Sequence, residues 1–401
     1  MEKSDQGHRP PRRLWIAAWL ILAIAGSLAL CASLLPASEG WWAQVIQYPQ
    51  KPVFADLSVI GQAWDLRRQG IDALSAPSAQ ALYNYPRIWL WGSSLGLGLA
   101  QVPLLGAMLI CLALASLGRV LAAETRPGVL LGCLLFLSPC WALALERGNT
   151  DLLMFSLLVW ACFLQGASAF KSTGAWGLML FAAILKLYPF AALPSLVRSR
   201  PRRDAWTLGA FAVLFAVYLW LIRDELRLVG MKTFYGESHS YGLAVFVQTV
   251  LTGRLHWAQV ASALPVLRVL LLAAGLGVSV LAWFTRSAEA EGDSVEASLF
   301  IVGACLYLGT FALLHCWAYR LIFLSLLAPQ LGRWGLRGAR GLCLPISVLL
   351  VLCCWLLPRG PGGGQVIGNL ASLLLFFLLI VPLCDLLKAR IPFFVKAVPR
   401  S

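Results

Sequence analysis

Lys186 stands at the centre of an apolar run, residues 174–197, with Pro189 three positions after it. A lysine at the middle of a membrane-inserted helix costs roughly 2.5–3.5 kcal/mol, so this position calls for an anionic partner or for water. One reading is that Lys186 holds a phosphate of a lipid-linked substrate. The other is a salt bridge to a buried residue, or snorkelling towards water. Arg147 and Arg320 fall at the ends of other apolar runs, in turns too short to leave a membrane far behind. The guanidinium is a planar fork that suits phosphate. Taken singly each arginine fits a headgroup anchor equally well; together with Lys186 they form a candidate phosphate-binding cluster.

The carboxylate singled out is Asp56, at the start of the amphipathic stretch 54–69, where Leu57, Ile60, Ala63 and Trp64 recur near helical period. A carboxylate over a membrane cavity can take the proton of an attacking hydroxyl, whereas the bland role is to favour a helix N-terminus. Glu237 and His239, in a second long polar segment, are further acid–base candidates. Asn149 and Asp151 read as caps of a helix beginning near Leu152. Asp65 and Asp72 read as solvated residues. No HExxH, Walker loop, GxSxG or dinucleotide fingerprint stands in a suitable context, and neither a metal site nor a cofactor is called for.

These residues need a scaffold, and composition says which kind. Of 401 residues 60% are hydrophobic and 12% charged, against about 25% charged in a soluble domain. So little polar surface cannot cover a globule of this size, and hydrocarbon must be the solvent for much of it. Backbone in hydrocarbon needs internal partners, which leaves helices or closed barrels. Runs such as 14–35 and 366–387 match the roughly 20 residues of a spanning helix and lack the alternation of barrel strands. The expected fold is therefore all-α, a polytopic transmembrane bundle of about ten full spans plus a broken hairpin. The net charge of +14 sits in short clusters between spans, which fits cytoplasmic flanks and membrane lipids rather than a nucleic-acid partner. The 11 cysteines lie almost all in apolar runs and form no CxxC pair; they read as small hydrophobes, not as a zinc site or a disulfide framework.

The organisation expected is a cytoplasmic tail over residues 1–13, one transmembrane domain over 14–387 and a cytoplasmic tail over 388–401. Two long outer loops cover about 36–87 and 223–263. Arg9, Arg12 and Arg13 place the N-terminus inside, and the run after them is too long for a signal-peptide core of about 7–15 residues. Nineteen of the 32 Lys and Arg residues then fall on the cytoplasmic side. The run 174–197 breaks the alternation, because Lys171 precedes it and Arg198, Arg200, Arg202 and Arg203 follow. Proline in its centre removes a helical hydrogen bond. The expectation is a pair of half-helices that enters from the cytoplasm, turns near Lys186 and returns; the alternative is a single crossing.

Three segments together resemble the glycosyltransferase family 87 membrane enzymes, the polyprenyl-phosphate-mannose-dependent mannosyltransferase group of the GT-C fold. They are Glu146-Arg147-Gly148-Asn149-Thr150-Asp151 opening a helix, Lys186-Leu187-Tyr188-Pro189 a hairpin later, and Asp56-Leu57 followed by Tyr85-Pro86. The likeness covers roughly residues 56–203, with a looser match at Tyr319-Arg320. Arg87 stands where the family often has a second proline, Val59-Ile60 where a tyrosine is common, and Gly70-Ile71-Asp72-Ala73-Leu74 where Gly-x-x-Pro-Tyr is usual. The resemblance implies a polyprenyl-phosphate sugar donor, mannose or another hexose, and a lipid, glycan or other acceptor hydroxyl at the outer face of the membrane. It implies Asp56 as the base and Lys186, Arg147 and Arg320 on the donor phosphate. Asn149, Asp151, Tyr188, Tyr85, Glu237 and His239 become candidate substrate contacts. The alternatives are a transporter or flippase of a lipid-linked saccharide, and an acceptor-binding subunit without activity.

Overall fold

A computed structural model of the chain describes residues 54–77, 82–122, 125–165, 169–197, 201–233, 239–252, 257–285, 292–313, 315–336, 341–358 and 362–390. The expected first span (14–35), the N-terminal tail, Glu237 and all but the first residues of the C-terminal tail lie outside them. The helices in chain order are α1 (Ala55–Arg68), α2 (Val102–Ala122), α3 (Arg126–Phe136), α4 (Pro139–Glu146), α5 (Asp151–Leu164), α6 (Ala169–Leu185), α7 (Pro201–Leu221), α8 (Arg223–Lys232), α9 (Leu243–Phe246), α10 (Trp257–Thr285), α11 (Val295–Leu313), α12 (Ala328–Leu336), α13 (Cys343–Leu356) and α14 (Gly363–Arg390). Three long 3₁₀ segments, Arg87–Leu95, Tyr188–Leu196 and Ala318–Leu327, interrupt them. Among the described residues the strands are β1 (Ser240–Tyr241) and β2 (Cys316–Trp317), paired antiparallel with Ser240 opposite Trp317.

The fold is a helical bundle with four helices long and apolar enough to cross a bilayer: Leu99–Ala122, Ser262–Thr285, Val295–Leu313 and Gly363–Arg390. Two bent pairs, α3 with α4 at 54° and Trp206–Leu221 with α8 at 68°, raise the number to six if each is one span. The described residues thus hold four to six candidate spans; about ten were expected of the whole chain, whose expected first span lies outside them, and several of the described apolar runs are divided. The run 88–117 splits into a 3₁₀ segment and α2 around Gly96, whose φ of 75° turns the chain. The run 127–145 bends where Pro139 starts a new helix. α5 and α13 have 14 residues each, about 21 Å, short of the roughly 30 Å hydrocarbon core. The segment 223–263 is not an open loop but carries α8, β1, α9 and the start of α10.

α11 is the central helix and α10 a peripheral one. In the apolar window of α11 72% is buried, against 17% in that of α10, where Val266, Val269, Leu276 and Phe284 face outward. An apolar helix exposed in this way fits a lipid-facing position. None of the ten described cysteines is in a disulfide.

The run 174–197 breaks at Lys186, as its proline predicts. Pro189 has no N–H to give the Leu185 carbonyl four residues back. The Trp89 indole supplies one at 3.0 Å, and the Tyr218 hydroxyl donates to the Ile184 carbonyl at 2.8 Å. The freed backbone groups are therefore satisfied, as a low-dielectric interior requires. The two limbs run in opposite directions. Their junction, Lys186, meets Asn149 and Asp151 at the start of α5. At the other extreme, Arg390 donates to the carbonyls of Ser195 (2.6 Å) and Gly292 (2.5 Å) and to the Ser298 hydroxyl (2.7 Å), and Ser298 donates to Gln165, just past the end of α5. α6 begins four residues after Gln165. Both limbs therefore have their far ends at the Arg390 level, and the pair is a hairpin packed on α5 and α11 with its tip at Lys186.

Candidate functional site

Two acids and two cations are held at helix ends of matching polarity. Asp56 lies in the first turn of α1 and Asp151 opens α5, where the positive end of the helix dipole favours a carboxylate. Arg147 is the C-cap of α4 and Lys186 follows the last residue of α6, ends that favour cations. The 3₁₀ segments add Tyr188 and Arg320 at their starts, and Tyr85 just precedes the third. Five helix N-termini thus converge at one end of the bundle.

The turn between α4 and α5 is the platform. Phe54 and Asp56 donate their N–H groups to the carbonyls of Glu146 and Arg147, both at 3.1 Å, so α1 docks by its first turn onto this turn. Gly148 has φ of 55°, and a Cβ there would lie 2.9 Å from Phe54; only glycine fits. Phe54 and His239 are the non-glycine residues with positive φ among the described residues, and both border the site.

Asp56 accepts from Arg147 through Oδ1, with Nε at 3.0 Å and Nη2 also bonded. Its Oδ2 accepts the amide N–H of Asn149. The Asn149 oxygen in turn accepts the Asp151 N–H at 2.8 Å and the Lys186 ammonium at 3.4 Å. Lys186 is bonded to Asp151 Oδ1, which also accepts the Tyr188 hydroxyl at 2.7 Å, while Arg320 Nε reaches Oδ2 at 3.2 Å. Each cation has an aromatic face beside it: Arg147 lies over Trp317 at 5.6 Å, Lys186 over Tyr85 at 5.6 Å and Arg320 over Tyr188 at 4.5 Å. Arg320 also donates to Cys316 Sγ at 2.9 Å. Beside it lies a small cavity bordered by Tyr241, Tyr307, Thr310 and Phe323, with room for about one water.

Eight of the ten residues singled out in the sequence therefore belong to one network: Asp56, Tyr85, Arg147, Asn149, Asp151, Lys186, Tyr188 and Arg320. One of their expected roles changes. Asp151 is not a helix cap; it is fully buried and is the counter-ion of both Lys186 and Arg320. Asp151 thereby gives Lys186 the buried ionic partner that its mid-run position calls for. The side-chain oxygen of Asn149 accepts the N–H of Asp151, the first residue of α5. His239 sits at the edge. Its Nδ1 lies 2.5 Å from the Pro358 carbonyl and its own carbonyl accepts the Ala318 N–H at 2.7 Å, which aligns β1 with the segment carrying Arg320. Burial lowers its pKa, and the Arg147 charge adds to that against the raising effect of the Pro358 bond. Glu237 lies outside the described residues.

Sequence reasoning passed over Trp317, which stacks on Tyr319 at 6.4 Å and lies beside Arg147. Its signal was the aromatic-rich turn Cys316-Trp317-Ala318-Tyr319-Arg320 at a span end. Asp72, read as solvated, pairs with Arg87 at 2.5 Å. Arg87 also donates its N–H to Glu225 of α8 at 2.9 Å, and Lys232 donates to the Ala73 and Ala76 carbonyls at 2.9 and 2.6 Å. These contacts fasten α8 over the segment that carries Tyr85. Burial pushes the Asp72 carboxyl up, but hydrogen bonds from Arg87 and Ser75 and the Arg87 charge outweigh it, leaving the group at about 2.

The chain matches no family model, no curated protein and no solved structure.

Proposed function

We propose that the chain is a multi-pass membrane glycosyltransferase of the GT-C type. It moves a hexose, mannose in the first instance, from a polyprenyl-phosphate donor to a lipid or glycan hydroxyl at the outer face of the cell membrane, with both termini cytoplasmic. The observation that carries this reading is the link through Asn149 between a carboxylate, Asp56, and a set of cations, at a bundle end where helix N-termini converge. Inverting transfer needs both halves close together. Asp56 takes the proton of the acceptor hydroxyl as its oxygen bonds to the anomeric carbon. The bond from that carbon to the phosphate oxygen breaks, and polyprenyl phosphate departs with the electron pair. Lys186, Arg147 and Arg320 stabilise the charge that gathers on the phosphate. Arg147 has only one side of its fork on Asp56, and Nη1 remains for the phosphate. Tyr85, Tyr188 and Trp317 supply flat faces at the rim for sugar and prenyl chain.

The test is transfer from radiolabelled polyprenyl-phosphate mannose in membranes with and without the overexpressed chain. Wild type should move label into a new lipid or glycan, and Asp56→Asn should lower the rate about 10²-fold or more. A folded Asp56→Asn protein as fast as wild type would remove Asp56 from the role of base.

One observation favours a second reading. A broken hairpin whose half-helix N-terminus meets an anion site also suits a transporter or flippase of a lipid-linked saccharide. Purified protein that moved labelled lipid across vesicles without making a glycosidic bond would establish that reading instead.

A further inference from the structure

We propose that Asn149 is a positioning residue for the base, setting the direction in which Asp56 accepts a proton; this rests on the glycosyltransferase reading above. Asn149 is fully buried, which leaves it no surface for a substrate. Its side chain is instead spent on the protein. The Nδ2 group donates to Asp56 Oδ2, and the oxygen accepts from the Asp151 N–H and from Lys186. The backbone bond locks the amide orientation, because an oxygen must face Asp151 N and an NH₂ must therefore face Asp56. With Arg147 on Oδ1 and Asn149 on Oδ2, Asp56 cannot rotate about its terminal torsion. One lone-pair direction of Oδ2 is left for the acceptor hydroxyl. The same amide fixes the spacing between the base and Lys186, so one side chain aligns the proton acceptor with the group that meets the leaving phosphate.

The charged and titratable groups around this pair come from every neighbouring element: Arg147 and Glu146 at the end of α4, Lys186 at the hairpin tip, Tyr85 before the first 3₁₀ segment, Tyr319 in the last, and Asp151 opening α5. None of them donates to Asp56 Oδ2 in place of Asn149.

The test is Asn149→Asp in the full chain, assayed with radiolabelled polyprenyl-phosphate mannose between pH 5 and 9. The change replaces NH₂ by oxygen and keeps the oxygen that accepts from Asp151 N and Lys186. Two carboxylates then face each other where a donor and an acceptor stood, and such a pair holds one proton between them. Transfer should become bell-shaped in pH, with a new alkaline limb as the shared proton leaves, while the donor KM stays within about threefold of wild type. The melting temperature of the variant should fall further below that of wild type as pH rises. Asn149→Ala should lower kcat at least about tenfold at every pH without adding a limb. A variant carboxylate with the wild-type pH profile, or a folded Asn149→Ala protein with wild-type kcat, would overturn the inference and leave the glycosyltransferase reading intact. If wild type itself transfers no sugar, that reading fails and the positioning role with it. Should Asn149→Asp not fold at any pH, the Asn149→Ala rate decides.

Discussion

The Trp89 indole donates to the Leu185 carbonyl at 3.0 Å, replacing the N–H that Pro189 lacks. A side chain from the 3₁₀ segment Arg87–Leu95 thereby completes the backbone of a hairpin 96 positions later, directly beneath Lys186. Trp89→Phe keeps most of the packing and removes the donor. It should cost about 1–3 kcal/mol, the penalty of a buried unsatisfied carbonyl, visible as a lower melting temperature in detergent. A change within a few tenths of a kcal/mol would mean that another group or water completes the break.

Asp151 is the counter-ion of both Lys186 and Arg320 and has no exposed surface. Asp151→Asn keeps the shape and removes the charge, leaving two largely buried cations without it, a change worth up to about 3–5 kcal/mol. Combining it with Lys186→Met should cost less than the sum of the two single changes, since one unpaired cation is gone. Strict additivity in thermal unfolding would argue that the two groups do not interact.

Gly148 turns the chain between Arg147 and Asn149 with positive φ, against Phe54. Gly148→Ala should destabilise by about 1–3 kcal/mol through backbone strain. It should also lower transfer more than a matched Gly177→Ala change, since nothing lies within 4 Å of a Cβ at Gly177. Equal effects at the two glycines would separate the turn from the site.

The Asp72 carboxyl is held at about 2, below its ordinary 3.8. Because the folded value is the lower one, the Asp72–Arg87 contact adds stability above about pH 4, and the gain disappears as pH falls towards 2. Both side chains are about a third exposed, so the contribution should stay below about 1 kcal/mol and shrink with salt. Melting curves of wild type and Asp72→Asn should converge over that window. A difference that persists at pH 2 would assign the effect to packing.

Much of the site was legible because charge is expensive in hydrocarbon. Lys186, Arg147 and Arg320 stand out in apolar runs, and Pro189 marks the break beside Lys186. What escaped notice were partners whose residue types are ordinary at helix starts. Asp151 has the spacing of a cap, and nothing local distinguishes a capping carboxylate from one that meets an arginine 169 positions away. Trp317 was lost among the chain's 17 tryptophans. Hydropathy reads apolar length but not the glycine and proline turns, such as those at Gly96 and Pro139, that divide a run.

Composition alone therefore determined the helical, lipid-compatible class of this protein, because too few polar groups exist to cover it in water. Residue type alone also marked the break at Lys186-Leu187-Tyr188-Pro189, because proline removes a specific hydrogen bond wherever it stands. Only the tertiary structure decided that Asn149 joins Asp56 to Lys186 and that Asp151 answers two cations at once. Those pairings depend on where five helix N-termini meet, and a hydrogen bond is set by distances of a few ångströms between segments that sequence spacing does not relate.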